Sequence, residues 1–284
     1  MKLLFAFALA ACGGTDTPPL PAPIASVSGT LGALAVNDTS LFAIDTDSNT
    51  LLEIGLDGTV KPPLPTVGPI RELAATGNLV AWVETEGTGT VVKRRVAIGA
   101  IESQRTFDAH VIANSTGLYY SDLGLIAVWA DAVPERIATP PITSNPRLLD
   151  VDGNFAYTTE TDTSVVKYAR MDTTSDILLP TSLTPAVKGG QLAYRTADGV
   201  RLRDLFTMFD RIVGALPSDY VCDPLIVTRA VMCGRFRALE GVADESLRDP
   251  VGGYAAAGDS VYWTTSANGS SDIRVFDAEA VTPE

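Results

Sequence analysis

One pattern of about 38 residues recurs seven times along the chain and limits the fold more than any other feature. Its most regular part is a short apolar strand: Leu41-Phe42-Ala43-Ile44, Val80-Ala81-Trp82-Val83, Leu118-Tyr119-Tyr120-Ser121, Phe155-Ala156-Tyr157-Thr158, Leu192-Ala193-Tyr194-Arg195, Ala230-Val231-Met232-Cys233 and Val261-Tyr262-Trp263-Thr264. With Ala43, Trp82, Tyr120, Tyr157, Tyr194, Met232 and Trp263 taken as equivalent, the spacings are 39, 38, 37, 37, 38 and 31. A short apolar strand and a turn precede each copy. The turns (Asn37-Asp38, Gly77-Asn78, Asp152-Gly153-Asn154, Gly189-Gly190, Gly258-Asp259) hold residues that tolerate positive φ and so close tight hairpins. A third alternating stretch follows, such as Val91 to Ile98, and then a more polar fourth. No amphipathic helix exceeds a turn or two. Repeats of this length made of four antiparallel strands stack radially into a β-propeller rather than a helical solenoid.

The expectation is therefore an all-β, seven-bladed β-propeller with four-stranded antiparallel blades, and the short sixth repeat keeps six blades as the alternative. The last copy ends after about three strands, while Ile24 to Thr30 looks like a spare strand ahead of the first copy. This N-terminal strand is expected to pair into the last blade and close the ring, removing the free edges of an open sheet. Hydrophobic residues form 46% of the 284, enough for a core of that size. The formal charge of −13, from 21 basic and 34 acidic residues, disfavours nucleic acid and anionic headgroups as partners.

The N-terminus has its own logic. Lys2 is a minimal basic region, and Leu3 to Ala11 are too few to span a bilayer, as expected of a cleaved signal. Leu9-Ala10-Ala11-Cys12 resembles the lipobox of bacterial lipoproteins. That resemblance implies a diacylglyceryl group on Cys12 and cleavage before it. Residues 1–11 then form the signal peptide, 12–23 a Gly/Pro-rich tether and 24–284 a single propeller domain. Gly13 stands where the family carries Asp for inner-membrane retention, which implies the outer membrane, on its periplasmic or surface-facing side.

Tyr262-Trp263-Thr264-Thr265 and Tyr119-Tyr120-Ser121-Asp122 resemble the YWTD-type strand, and the remaining pattern is similar to TolB-like repeats. Such propellers host many unrelated activities, so the resemblance implies a fold and little more. Cys222 and Cys233 flank one expected hairpin. In an exported protein they are most simply a disulfide, with two buried thiols as the alternative. Asp45-Thr46-Asp47-Ser48-Asn49 begins like a calcium loop but lacks the Gly and Glu of an EF-hand, and reads as a polar turn.

His110 is the only histidine, which removes most familiar hydrolase triads and zinc sites. It falls where an inter-blade loop enters an innermost strand. Arg71, Glu72, Asp108, Arg147, Asp223 and Asp249 take similar places in other repeats. Arg71, His110, Arg147 and Asp223 are thus the candidate binding residues, at one mouth of the central channel. The channel itself is expected to be small and apolar, with Asp150 and Lys188 falling at turns. No catalytic set, metal site or cofactor is expected. The chain reads as a monomeric, lipid-anchored envelope module that binds a protein or small ligand. The alternative is a propeller hydrolase or lyase acting on polysaccharide or peptide at the channel mouth.

Overall fold

The computed structural model describes residues 20–131, 133–140, 147–161, 164–169, 175–180, 185–216, 222–228, 230–234, 236–239, 242–245 and 253–278. Its described residues form seven small antiparallel sheets and no helix. Blade 1 holds β2 (Leu31–Val36), β3 (Ser40–Asp45) and β4 (Thr50–Gly55); blade 2 holds β5 (Ile70–Thr76), β6 (Leu79–Glu86), β7 (Gly89–Val96) and β8 (Ile101–Thr106). Blade 3 is β9 (His110–Asn114), β10 (Gly117–Asp122), β11 (Leu125–Val128) and β12 (Glu135–Ala138). Blade 4 is β13 (Arg147–Asp152), β14 (Phe155–Thr161), β15 (Ser164–Ala169) and β16 (Ser175–Pro180). Blade 5 is β17 (Ala186–Lys188), β18 (Gln191–Thr196), β19 (Gly199–Asp204) and β20 (Asp210–Gly214). The shortest is blade 6, with β21 (Pro224–Ile226), β22 (Val231–Cys233), β23 (Phe236–Leu239) and β24 (Val242–Glu245). Blade 7 is β25 (Tyr254–Ala257), β26 (Ser260–Ala267) and β27 (Ser270–Asp277), completed on its outer edge by β1 (Ala25–Ser28).

The ring closes as the sequence suggests: β1 pairs antiparallel with β27, Ala25 opposite Ile273 and Ser28 opposite Ser270. The buried Ser271 hydroxyl locks the junction, donating to the Gly29 carbonyl (2.8 Å) and accepting from the Leu31 amide (3.1 Å). At the same seam the Gly253 amide donates to the Gly32 carbonyl at 2.8 Å. A Cβ on Gly253 would lie 2.4 Å from that oxygen, so no larger residue allows this approach.

Blade 1 departs from the four-stranded expectation. Beyond β4 only two isolated bridges form, Ile54 to Val60 and Leu51 to Leu64. Pro62, Pro63 and Pro65 remove the amide donors a fourth strand needs.

The first strands of neighbouring blades touch one another in a closed cycle and line the channel. Hairpins joining first to second and third to fourth strands share one face, called here the lower face. The upper face carries the second-to-third hairpins and the inter-blade loops. The core is divided into seven apolar layers, one between each pair of blades. This explains why the second strands carry the repeat signal: Trp82, Trp263 and Tyr157 are fully buried between sheets, where large side chains fill a wedge.

Cys222 and Cys233 are joined as a disulfide, with Cα atoms 5.3 Å apart. The Asp45 turn is polar, its carboxylate accepting from the Asp47 amide (3.0 Å) and the Ser48 hydroxyl (2.5 Å).

Candidate functional site

The upper mouth holds the residues singled out from the sequence, and it pairs several of them with each other. Arg71 on β5 makes an ion pair with Asp108 in the loop before β9. Beside it, His110 Nδ1 lies 2.5 Å from Glu72 Oε1, and the Val111 amide donates to Glu72 Oε2 (2.9 Å). Both links tie blade 2 to blade 3. Arg147 is exposed at the start of β13, and the Asp223 carbonyl, just before β21, accepts from the Tyr254 hydroxyl. The upper mouth thus brings together Arg71 and His110, through their neighbours, at one seam, with Arg147 and Asp223 on other blades. Cys12 and Asp249 lie outside the described residues.

The channel is less inert than its apolar strands suggest. Asp150 lies within β13, not at a turn, and Lys188 ends β17. A register shift between Leu148 and Asp150 turns the Asp150 side chain inward. There it accepts from Asn114 Nδ2 (2.8 Å), the Gly189 amide (3.0 Å) and the Val151 amide (2.8 Å). One carboxylate therefore joins blades 3, 4 and 5. Burial raises its pKa above the ordinary aspartate value, although these three donors pull the other way. Burial likewise lowers the pKa of Lys188, opposed by Asp150 and Asp259, and its ammonium donates to the Ile226 carbonyl (3.2 Å) on blade 6. With each partner a structural group of a neighbouring blade, the pair reads as a rivet and not as an acid and base facing a substrate.

A further opening suited to a ligand lies elsewhere, on the lower face between blades 3 and 4. A cleft of about 350 Å³ is lined by Tyr119, Val128, Ile137, Val151 and Phe155. The small residues Ala138 and Ala156 line it from the buried inter-blade layer, and Ala130 and Gly153 stand exposed at its margin. Thr116 and Glu135 supply polar groups at its margin, and the Thr116 hydroxyl lies 2.8 Å from the Tyr119 hydroxyl.

One wall is held in place from the neighbouring blade. Arg94 on β7 is buried and reaches across to the carbonyls of Trp129, Ala130 (3.2 Å) and Asp131 (2.9 Å). Its guanidinium stacks 4.6 Å from the Trp129 ring centroid, and Glu102 accepts from it at 2.7 Å. The loop carrying Ala130 is thereby fixed before any ligand arrives. A cavity of this size and lining suits an apolar or aromatic group bearing one or two polar atoms. Among the described residues no three metal-capable side chains gather. Sequence reading missed the cleft, for its signal is only a coincidence of small residues on two blades.

Comparison with known proteins extends the fold and not the activity. No protein-family model and no curated protein matches the chain. Among solved structures it is similar to PorZ of Porphyromonas gingivalis, described as an essential bacterial surface component of the type-IX secretion system. The TM-score is 0.63 at 11% identity, over 88% of this chain and 38% of PorZ. This chain thus spans well under half the length of PorZ. It is also similar to virginiamycin B lyase of Staphylococcus aureus, solved as an inactive variant with quinupristin (TM-score 0.60, 12% identity, 88% and 98% covered). A third is BamB of Moraxella catarrhalis (TM-score 0.54, 12% identity, 92% of both chains). Likeness at these identities establishes a β-propeller.

Proposed function

We propose that this chain is a non-catalytic β-propeller of the cell envelope, tethered by a lipid on Cys12, that binds an extended polypeptide or small ligand through an apolar group. The single observation carrying the binding half is the preformed cleft between blades 3 and 4, whose wall is fixed by Arg94. The channel points the same way, since Asp150 and Lys188 are engaged with the backbone and side chains of adjacent blades. The upper mouth, with Arg71, His110, Arg147 and Asp223, is the second surface open to a ligand. Propellers among the structural neighbours include a secretion-system surface component, which accords with an interaction module.

The envelope half rests on Leu9-Ala10-Ala11-Cys12 and on Gly13, which favours the outer membrane. Two experiments test the reading. Selection of a displayed peptide library against the chain should yield binders rich in aromatic or branched apolar residues, and Ala130→Trp, at the exposed margin of the cleft, should abolish their binding. Binders indifferent to Ala130→Trp refute the cleft. Cys12→Ser should move the protein from the membrane fraction to the soluble one, and unchanged fractionation refutes the anchor.

A further inference from the structure

Large apolar side chains are exposed unevenly on this propeller. Val60, Ile98, Val133, Phe206, Met208 and Phe209 are 48%, 98%, 78%, 66%, 49% and 64% exposed. All six follow the third strands of blades 1, 2, 3 and 5, so they crown the lower face around its perimeter. Among the described residues the upper face carries Val67, Phe107 and Leu123.

The blade 5 hairpin is the most developed of these tips, and it is rigid. Asp204 Oδ1 accepts from the amides of Phe206 (2.9 Å) and Thr207 (2.7 Å), and the Leu205 amide donates to the Gly190 carbonyl (2.8 Å). The Phe206 ring lies over Gly190, where a Cβ would come within 2.3 Å of it. Two aromatic rings and a methionine are thus held out to solvent on a fixed turn, two residues before the exposed Arg211. A loop that only needed to turn would not spend three large apolar residues on it.

The chain's N-terminal exit lies on this same face. Leu20 packs into the layer between blades 6 and 7 with Val227, Ala230 and Ala278. Val227 and Ala230 close the first hairpin of blade 6, and the Ala278 amide donates to Asp259 in the first hairpin of blade 7 (2.8 Å). All three mark the lower face, and blade 6 adjoins blade 5. Eight residue steps separate Leu20 from Cys12, a reach of at most about 29 Å.

From these observations we infer that the blade 5 to blade 7 side of the lower face docks on a lipid bilayer, with Phe206, Met208 and Phe209 entering its interface and the cleft between blades 3 and 4 left open to solvent. The inference rests on the reading of Cys12 as the lipid-bearing residue. An acyl chain so close to this face leaves the propeller no room to stand far from the membrane. Aromatic tips settle at the headgroup level, where their rings leave water, and Arg211 is placed to meet a lipid phosphate. The net charge of −13 fits a zwitterionic surface rather than an anionic one.

The test uses the lipid-bearing full chain reconstituted in phosphatidylcholine vesicles whose acyl chains carry bromine, a short-range quencher of tryptophan. Phe206→Trp and Ile98→Trp place reporters on the lower face, and Phe107→Trp places one on the upper. Trp82, Trp129 and Trp263 are buried and give a common background. Docking predicts that Phe206→Trp loses about half of its added emission while Ile98→Trp, on the far side of the ring, and Phe107→Trp are unaffected, since only interfacial groups meet the quencher. Protein that floats with the vesicles but leaves Phe206→Trp unquenched overturns docking while keeping the anchor, as does equal quenching of Phe107→Trp. Protein recovered free of the vesicles overturns the anchor and the docking together.

Discussion

Glu84 offers the sharpest test of how the inter-blade loops are held. Its side chain is fully buried on β6, and four donors converge on it. Trp82 Nε1 donates to Oε1 (2.6 Å), while Lys93 Nζ (2.8 Å) and the amides of Val67 (2.9 Å) and Gly68 (3.3 Å) donate to Oε2. The last two belong to the loop leading from blade 1 into blade 2. Glu84→Ala leaves the Lys93 ammonium nearly buried without its counter-charge, and the Trp82 and loop N–H groups without an acceptor. Breaking a buried pair costs about 3–5 kcal/mol and each orphaned donor about 1–3, sums that overlap, so a loss of ~4 kcal/mol is expected. Glu84→Gln keeps one acceptor and should lose ~2 kcal/mol.

The pH dependence supplies a second readout. Burial alone would raise the Glu84 pKa, but the hydrogen bonds from Lys93, Trp82 and Val67 outweigh it and hold the carboxyl below its ordinary 4.5. A depressed carboxyl contributes stability above the unfolded value and loses it as pH falls through the folded one. Wild type should therefore weaken more steeply than Glu84→Gln below pH 4.5, by up to ~1.4 kcal/mol per pH unit. Urea unfolding at pH 7 and through the acid range measures both. A loss under ~1 kcal/mol for Glu84→Ala, or equal acid slopes for wild type and Glu84→Gln, would refute the reasoning.

Other consequences concern the ring. Replacing Cys222 and Cys233 by Ser opens a loop of sequence separation 11 and should cost ~3 kcal/mol in urea unfolding under oxidising conditions. Ser271→Ala removes the hydroxyl serving Gly29 and Leu31, and should cost ~1–3 kcal/mol while raising amide exchange selectively across residues 24–31. Asp150→Asn removes a carboxyl whose pKa burial raises above 3.8. Such a group contributes stability below that value and loses it as pH rises through the folded one, so the variant's stability should fall less than wild type's as pH rises from 3.8.

The fold was legible in the sequence because each second strand is buried on both faces and must repeat the same large or branched apolar residues. Ring closure was legible for a related reason: Ile24 to Thr30 had no partner in its own repeat, and the last repeat lacked one strand. The missing fourth strand of blade 1 could have been read from Pro62, Pro63 and Pro65, each unable to donate to a ladder. Asp150 was harder, since Asp-Val-Asp-Gly-Asn is turn-forming chemistry, and only the register shift in β13 turns the carboxylate into the channel. The site resisted sequence reading more strongly. Ala130, Ala138, Gly153 and Ala156 look like any strand or turn residues until two blades are set side by side. Phe206, Met208 and Phe209 look like core until a hairpin lifts them into solvent. Charged residues drew attention to the upper mouth, where Arg71 and His110 meet Asp108 and Glu72 from the same seam.

The central claim is that ligands enter between blades 3 and 4. Crystals of the chain soaked with a library of small aromatic fragments test it directly. The account predicts fragment density packed against Tyr119, Val151 and Phe155, within reach of Thr116 or Glu135. Fragments gathered instead at the upper mouth around Arg71, His110, Arg147 and Asp223, with the cleft empty, would contradict it.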